Sequence, residues 1–153
     1  MRDQGADKQS SPATLTGLPS YLMMRVTHGY KQALHDRLKP TGLNMISTRI
    51  IVSLTVFREM TVSELCTHAI AEQPTMSRAL DKLEKDGIVE RRVSDADHRA
   101  RVVRLTEKGA GHFEKIWPVM LNLNEELMQS VDEADRAVFM RVLLELLGTV
   151  DGR

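Results

Sequence analysis

"VSELCTHAIAEQPTMSRALDKLEKDGIVERR", residues 62–92, decides the fold. Thr61 stands just before it and Glu64 three residues later, the reciprocal capping pattern of a helix start. A short helix over about 62–69 is predicted. "AIAEQP" then reads as a turn. After it, "TMSRALDKLEKDG" sets Met76, Leu80 and Leu83 on one face, turns Thr75, Ser77, Arg78 and Lys82 away from it, and ends at Gly87. Two helices joined by a tight turn, the second with an apolar back and a polar front, make a helix-turn-helix whose second helix can enter a major groove.

Downstream, "IVERRV" and "ARVVRLT" are short, rich in valine and arginine, and separated by turn-forming residues, which predicts an antiparallel hairpin. From Arg91 to Arg104 the chain carries Arg91, Arg92, Arg99, Arg101 and Arg104 against Asp95 and Asp97; from Leu105 onward five basic residues face nine acids. The whole chain balances 21 basic against 21 acidic residues, so only this polarised distribution speaks for a polyanionic partner.

On the N-terminal side, residues 1–17 are polar with little to bury and read as a flexible arm. Pro19 suits a first helical turn, and Leu22, Val26, Tyr30, Leu34 and Leu38 recur at four-residue steps until Pro40 and Gly42. A second, very apolar helix fits about 44–57, with burial on more than one side. Beyond the hairpin, Thr106 can cap a long helix carrying Phe113, Ile116, Met120, Leu123 and Leu127, with a kink expected at Pro118. Asp132 caps the last helix, striped by Val138, Val142 and Leu146. The fold class is therefore mainly α with a small β-hairpin: a winged helix-turn-helix over 43–105, flanked by terminal helices over 18–42 and 106–150. Those terminal helices carry more apolar surface than the central residues can cover, which points to a homodimer.

At 153 residues the chain fits one ordinary domain. The longest apolar run, "IIVSLTVF" at 50–57, is far short of the roughly 20 residues a membrane helix needs, so no membrane partner is expected. The polar N-terminus and single cysteine fit a cytoplasmic protein. Neither a nucleophile–base pair nor a phosphate-binding glycine loop appears, and no enzyme is expected. His28 and His35 stand about 10 Å apart by helix rise, too far to share one ion unaided, so neither a metal nor another cofactor is expected.

The candidate DNA contacts follow from chemistry. Arg78, on the polar front, has the paired donors that match a guanine edge; its alternative is a surface pair with a neighbour such as Asp81. Gln73, Pro74, Thr75, Ser77 and Lys82 are further candidates for contact with bases or phosphates. Arg91, Arg92, Arg101 and Arg104 supply phosphate attraction, with strand alternation turning some of them away. Cys66 raises the alternative of a thiol redox switch, though packing suits its position better. A winged module that contacts protein rather than DNA is a second alternative.

With these elements in order, the sequence resembles the multiple-antibiotic-resistance regulator (MarR) family of bacterial transcription factors, from about residue 20 to 148. The helix-turn-helix stretch quoted above, "DHRA" at 97–100 and "VRLTEKG" at 103–109 carry the resemblance. It implies a triangular homodimer whose interlocked terminal helices present two winged domains to palindromic double-stranded DNA. It further implies that Arg99 is the wing's DNA-facing arginine, that Asp97 restrains the wing tip, and that His98 belongs to the wing. A small aromatic or amphipathic anionic effector would release the DNA, with Met23, His28, Arg49 and Trp117 as candidate contacts. Two positions depart from the family pattern. Pro74 replaces a hydroxyl residue at the recognition-helix start, and Ile70 replaces the glycine of the turn. Ile70 disfavours a left-handed backbone, so the turn is expected to be drawn differently.

Overall fold

The computed structural model describes residues 15–94 and 101–152. The wing-tip candidates Asp97, His98 and Arg99 lie outside these described residues. After a 3-10 turn at Leu15–Gly17, the elements run α1 (Pro19–Leu38), α2 (Met45–Phe57), β1 (Glu59–Met60), α3 (Val62–His68), α4 (Gln73–Lys85), β2 (Val89–Val93), β3 (Arg101–Leu105), α5 (Glu107–Met128) and α6 (Glu133–Asp151).

Helix starts follow the capping chemistry. Thr61 and Glu64 form the reciprocal box, Thr106 accepts from the Gly109 N–H, and Asp132 accepts from the Asp135 N–H. Asn44 does the same for α2, accepting from the Ser47 N–H at 2.9 Å. Helix α4 begins at Gln73, two residues earlier than the sequence pattern suggests. Pro74 is tolerated there because a first-turn N–H has no intrahelical acceptor to lose. The long α5 continues as one helix through Pro118.

The turn between α3 and α4 corrects one expectation. Ile70 does adopt the left-handed conformation, with φ of 52°. Its N–H donates to the Thr67 carbonyl at 3.2 Å and the Ala71 N–H to the Cys66 carbonyl at 3.0 Å, the paired bonds of a Schellman C-cap. The left-handed turn forms despite the β-branched side chain, because these bonds satisfy the end of α3 and Ile70 points into solvent, 75% exposed. The end of α4 repeats the motif with a glycine: Gly87 has φ of 68°, and the Ile88 N–H reaches the Leu83 carbonyl at 2.8 Å.

The hairpin proves to be two strands of a three-stranded antiparallel sheet, ordered β1-β3-β2. β1 pairs Glu59 with Arg104 and Met60 with Val103. Two residues are too few for an alternation pattern, so the sequence reading missed this strand.

One core joins these parts. Leu34 and Leu38 of α1, Ile50, Ile51 and Leu54 of α2, Leu65 of α3, Met76, Leu80 and Leu83 of α4, Val89 and Val103 of the sheet, and Ile116 of α5 are all buried in it. Each such side chain contributes about 1.5–3 kcal/mol on burial. α2 is buried on several sides, as its composition implies. By contrast α6 buries no residue, and Val138, Phe139, Val142, Leu146 and Leu147 stand exposed along it. Leu22, Met23 and Val26 are likewise exposed on the first half of α1.

Candidate nucleic-acid interface

α4 owes its orientation to its apolar back. Met76, Leu80 and Leu83 are fully buried, which forces the opposite front outward. Gln73, Pro74, Thr75, Ser77, Arg78 and Lys82 are all exposed on this helix. Arg78 makes no ion pair among the described residues, and the alternative pairing with Asp81 is not formed. Lys82 instead bonds Asp86 at 2.9 Å, one turn along, and this pair holds the Asp86 carboxyl below the usual carboxylate range.

The sheet arginines are distributed differently from the sequence count. Arg91 donates through Nη2 to Asp81 at 2.7 Å and through Nη1 to Glu84, while its backbone N–H reaches Glu84 at 3.3 Å. These bonds, that to Asp81 foremost, raise the guanidinium pKa still further above its ordinary value. Arg92 donates to Glu59 at 3.1 Å, and Arg104 donates to Glu90. Register explains the pattern: Arg104 on the central strand stands between Glu59 of β1 and Glu90 of β2, on the face turned away from Val89 and Val103. Three of the arginines read as phosphate attractors therefore have acidic partners contributed by α4, β1 and β2. Arg101 alone of the described sheet arginines is exposed and takes part in no ion pair among the described residues.

Of the acids that take up these arginines, Asp81 was named only as a partner for Arg78, and Glu59, Glu84 and Glu90 were not picked out from the sequence. A signal existed for two of them: Asp81 and Glu84 are three apart on a helix and so share a flank. Nothing local links Glu59 to Arg92, 33 residues away.

The four effector candidates separate. Met23 and His28 line one shallow groove on α1 with Ser20, Thr27 and Lys31. Arg49, on α2, donates to the Ala69 carbonyl at 3.0 Å, placing a cation at the C-terminal end of α3. Trp117, on α5, stacks on Phe113 with ring centroids 5.4 Å apart. Cys66 is half-buried and packs against the core. Among the described residues no group of three His, Cys, Asp or Glu side chains is placed to hold a metal ion, and no helix is long and apolar enough to cross a membrane.

A helix-turn-helix with an outward α4 front, followed by the β2 and β3 strands of a small antiparallel sheet, is the winged-helix arrangement of a transcriptional regulator. The MarR family model matches residues 43–100. The HTH-type transcriptional repressor IacR of Pseudomonas putida is 30% identical over 125 residues, covering 82% of this chain and 75% of that protein. The transcriptional repressor MprA of Escherichia coli K12 is 28% identical, covering 81% and 73%. The crystal structure of a MarR family transcriptional regulator from Silicibacter pomeroyi superposes with a TM-score of 0.86 at 33% identity, over 97% of this chain and all of that one. The chain belongs to the MarR family, whose members regulate transcription rather than catalyse a reaction.

Proposed function

We propose that this chain is a cytoplasmic homodimeric repressor that binds pseudo-palindromic double-stranded DNA and leaves it when a small effector binds. The observation that carries this reading is Arg78, exposed on the front of α4 and free of any ion pair among the described residues. A guanidinium in that position is available to a guanine edge. Gln73, Thr75 and Ser77 would add base or phosphate contacts beside it, with Pro74 shaping the helix start. Arg99 would enter the minor groove, with Asp97 and His98 ordering the wing tip. Arg101 would supply phosphate attraction. The repressor names of the relatives favour repression over activation.

The exposed apolar faces of α1 and α6 support the dimer, since such surface in water demands a partner. Two recognition helices would then enter successive major grooves about 34 Å apart. The working division is a DNA-binding unit over 43–105, dimerisation segments over 18–42 and 106–150, and an arm over 1–17.

An aromatic or amphipathic anion, contacting Met23, His28, Arg49 or Trp117, would act by preferring one spacing of the recognition helices. Arg49 suits this role because a ligand carboxylate that drew it from the Ala69 carbonyl would loosen the turn before α4. Crystals with and without such a ligand that showed the same helix spacing would overturn the release mechanism.

Fluorescence anisotropy on duplex DNA from upstream of the gene, against scrambled DNA across a salt series, tests the whole. Selective, steeply salt-dependent binding that loses about 1–3 kcal/mol of discrimination in Arg78→Ala is expected. Equal, weak binding of both duplexes, unchanged in Arg78→Ala and Arg99→Ala, would favour a protein-contacting winged module instead.

A further inference from the structure

The ion pairs around α4 bear on how Arg78 stays available. Arg78 and Asp81 are three residues apart, a spacing at which oppositely charged side chains on a helix meet. Left to the helix alone, Asp81 would capture the arginine meant for DNA. In the folded protein Asp81 is instead bonded to Arg91 of β2 at 2.7 Å, and the second arm of the same guanidinium binds Glu84. A planar fork that engages two carboxylates at once is a bond lysine cannot reproduce. The Arg91 backbone N–H adds a further bond to Glu84, so strand and helix are joined at both main chain and side chain.

We infer that Arg91 is a positioning residue for sequence readout: by taking up Asp81 and Glu84 it keeps Arg78 free for a base and fixes the wing strand against the recognition helix. Arg91 is thus not one of the phosphate contacts, although its charge and its place in the wing suggested that role. This inference rests on the DNA-reading function proposed above and goes beyond it by separating the arginine that reads from the arginine that frees the reader.

The test starts from a duplex enriched by the wild-type chain from a randomised library. Its preference over scrambled DNA, and the slope of log affinity against log salt, are then measured for Arg91→Ala and for Arg91→Ala combined with Asp81→Asn. The single variant should lose about tenfold of the preference, the low end of what one arginine–guanine contact supplies. Its salt slope should stay unchanged. The added Asp81→Asn should restore the preference to within about threefold of wild type, because the acid that captures Arg78 is gone. A purely structural defect would not be rescued by removing a second side chain of the same cluster. Should Arg91→Ala fail to fold, Arg91→Lys with and without Asp81→Asn gives the same comparison with a smaller loss. A slope lowered by about 0.9 in Arg91→Ala, without rescue, would make Arg91 a phosphate contact and overturn the inference. Unchanged preference in the single variant would overturn it as well. If the wild-type chain enriches no duplex at all, the DNA-reading function itself fails and the inference falls with it.

Discussion

The backbone carbonyl of Ile88 lies 2.2 Å from the place where a Cβ on Gly109 would stand. The same carbonyl accepts from the Thr106 N–H at 3.0 Å, so the start of α5 is docked directly onto the chain leaving α4. This close approach explains the glycine that ends "VRLTEKG". In Gly109→Ala the two main chains must separate, and a loss of about 1–3 kcal/mol of stability is expected from overpacking. Urea unfolding would show it as a lower midpoint; an unchanged midpoint would mean the junction yields freely.

Ile70 carries a strain that a glycine would relieve. Its side chain is 75% exposed and so loses little packing on removal, while its φ of 52° is costly for a β-branched residue. Ile70→Gly should gain about 1 kcal/mol, less the added freedom glycine has when unfolded. A lower denaturation midpoint in that variant would show that Ile70 is held by contacts worth more than its strain.

Thr48 is fully buried in α2, and its Oγ1 has no hydrogen-bond partner among the described residues. Valine has nearly the same shape without the hydroxyl. Thr48→Val is expected to stabilise by about 1 kcal/mol, the cost of a buried polar atom left unbonded. Calorimetry reads this as a raised Tm, and a fall in Tm would refute it.

His112 gives stability a pH dependence of known sign. Burial, aided by Lys115 and Lys108 nearby, pushes its imidazole below the ordinary value of 6.5. As pH falls through 6.5 the unfolded chain takes up the proton first, so stability drops from there down to the folded-state value and then levels. The carboxyls of Glu64, held down by the bonds from Thr61, and of Asp86 and Glu126, held down by Lys82 and Arg37, are also depressed. Their contribution is lost only at lower pH, as each is protonated. Comparing denaturation midpoints at pH 7 and pH 6 (about the imidazole's own range) for the wild type and His112→Gln isolates the histidine. The variant should be the less sensitive, and equal sensitivity would assign the slope to other groups.

Much of the fold was legible because its signals are local. Capping at Thr61, Thr106 and Asp132, the stop at Gly87, and the apolar spacing of Met76, Leu80 and Leu83 all act within one or two turns of chain. The front of α4 followed from its back, so the exposure of Arg78 was legible in the apolar spacing alone. The two-residue β1 offered no periodicity, and Ile70 argued against the conformation it takes. There the bonds to Thr67 and Cys66 outweigh the preference of a single residue.

What the sequence determined by itself was the order of helices, the helix-turn-helix and the outward face of its second helix, since burying an apolar stripe leaves no choice about the opposite side. Which of the basic side chains remain unpaired was decided only in three dimensions. Arg91, Arg92 and Arg104 look like a basic hairpin when read along the chain, yet Asp81, Glu84, Glu59 and Glu90 reach them from α4, β1 and β2. Charge pairing depends on distance through space rather than along the sequence. The fold therefore pairs Arg91, Arg92 and Arg104 with acids and leaves Arg78 and Arg101 unpaired among the described residues.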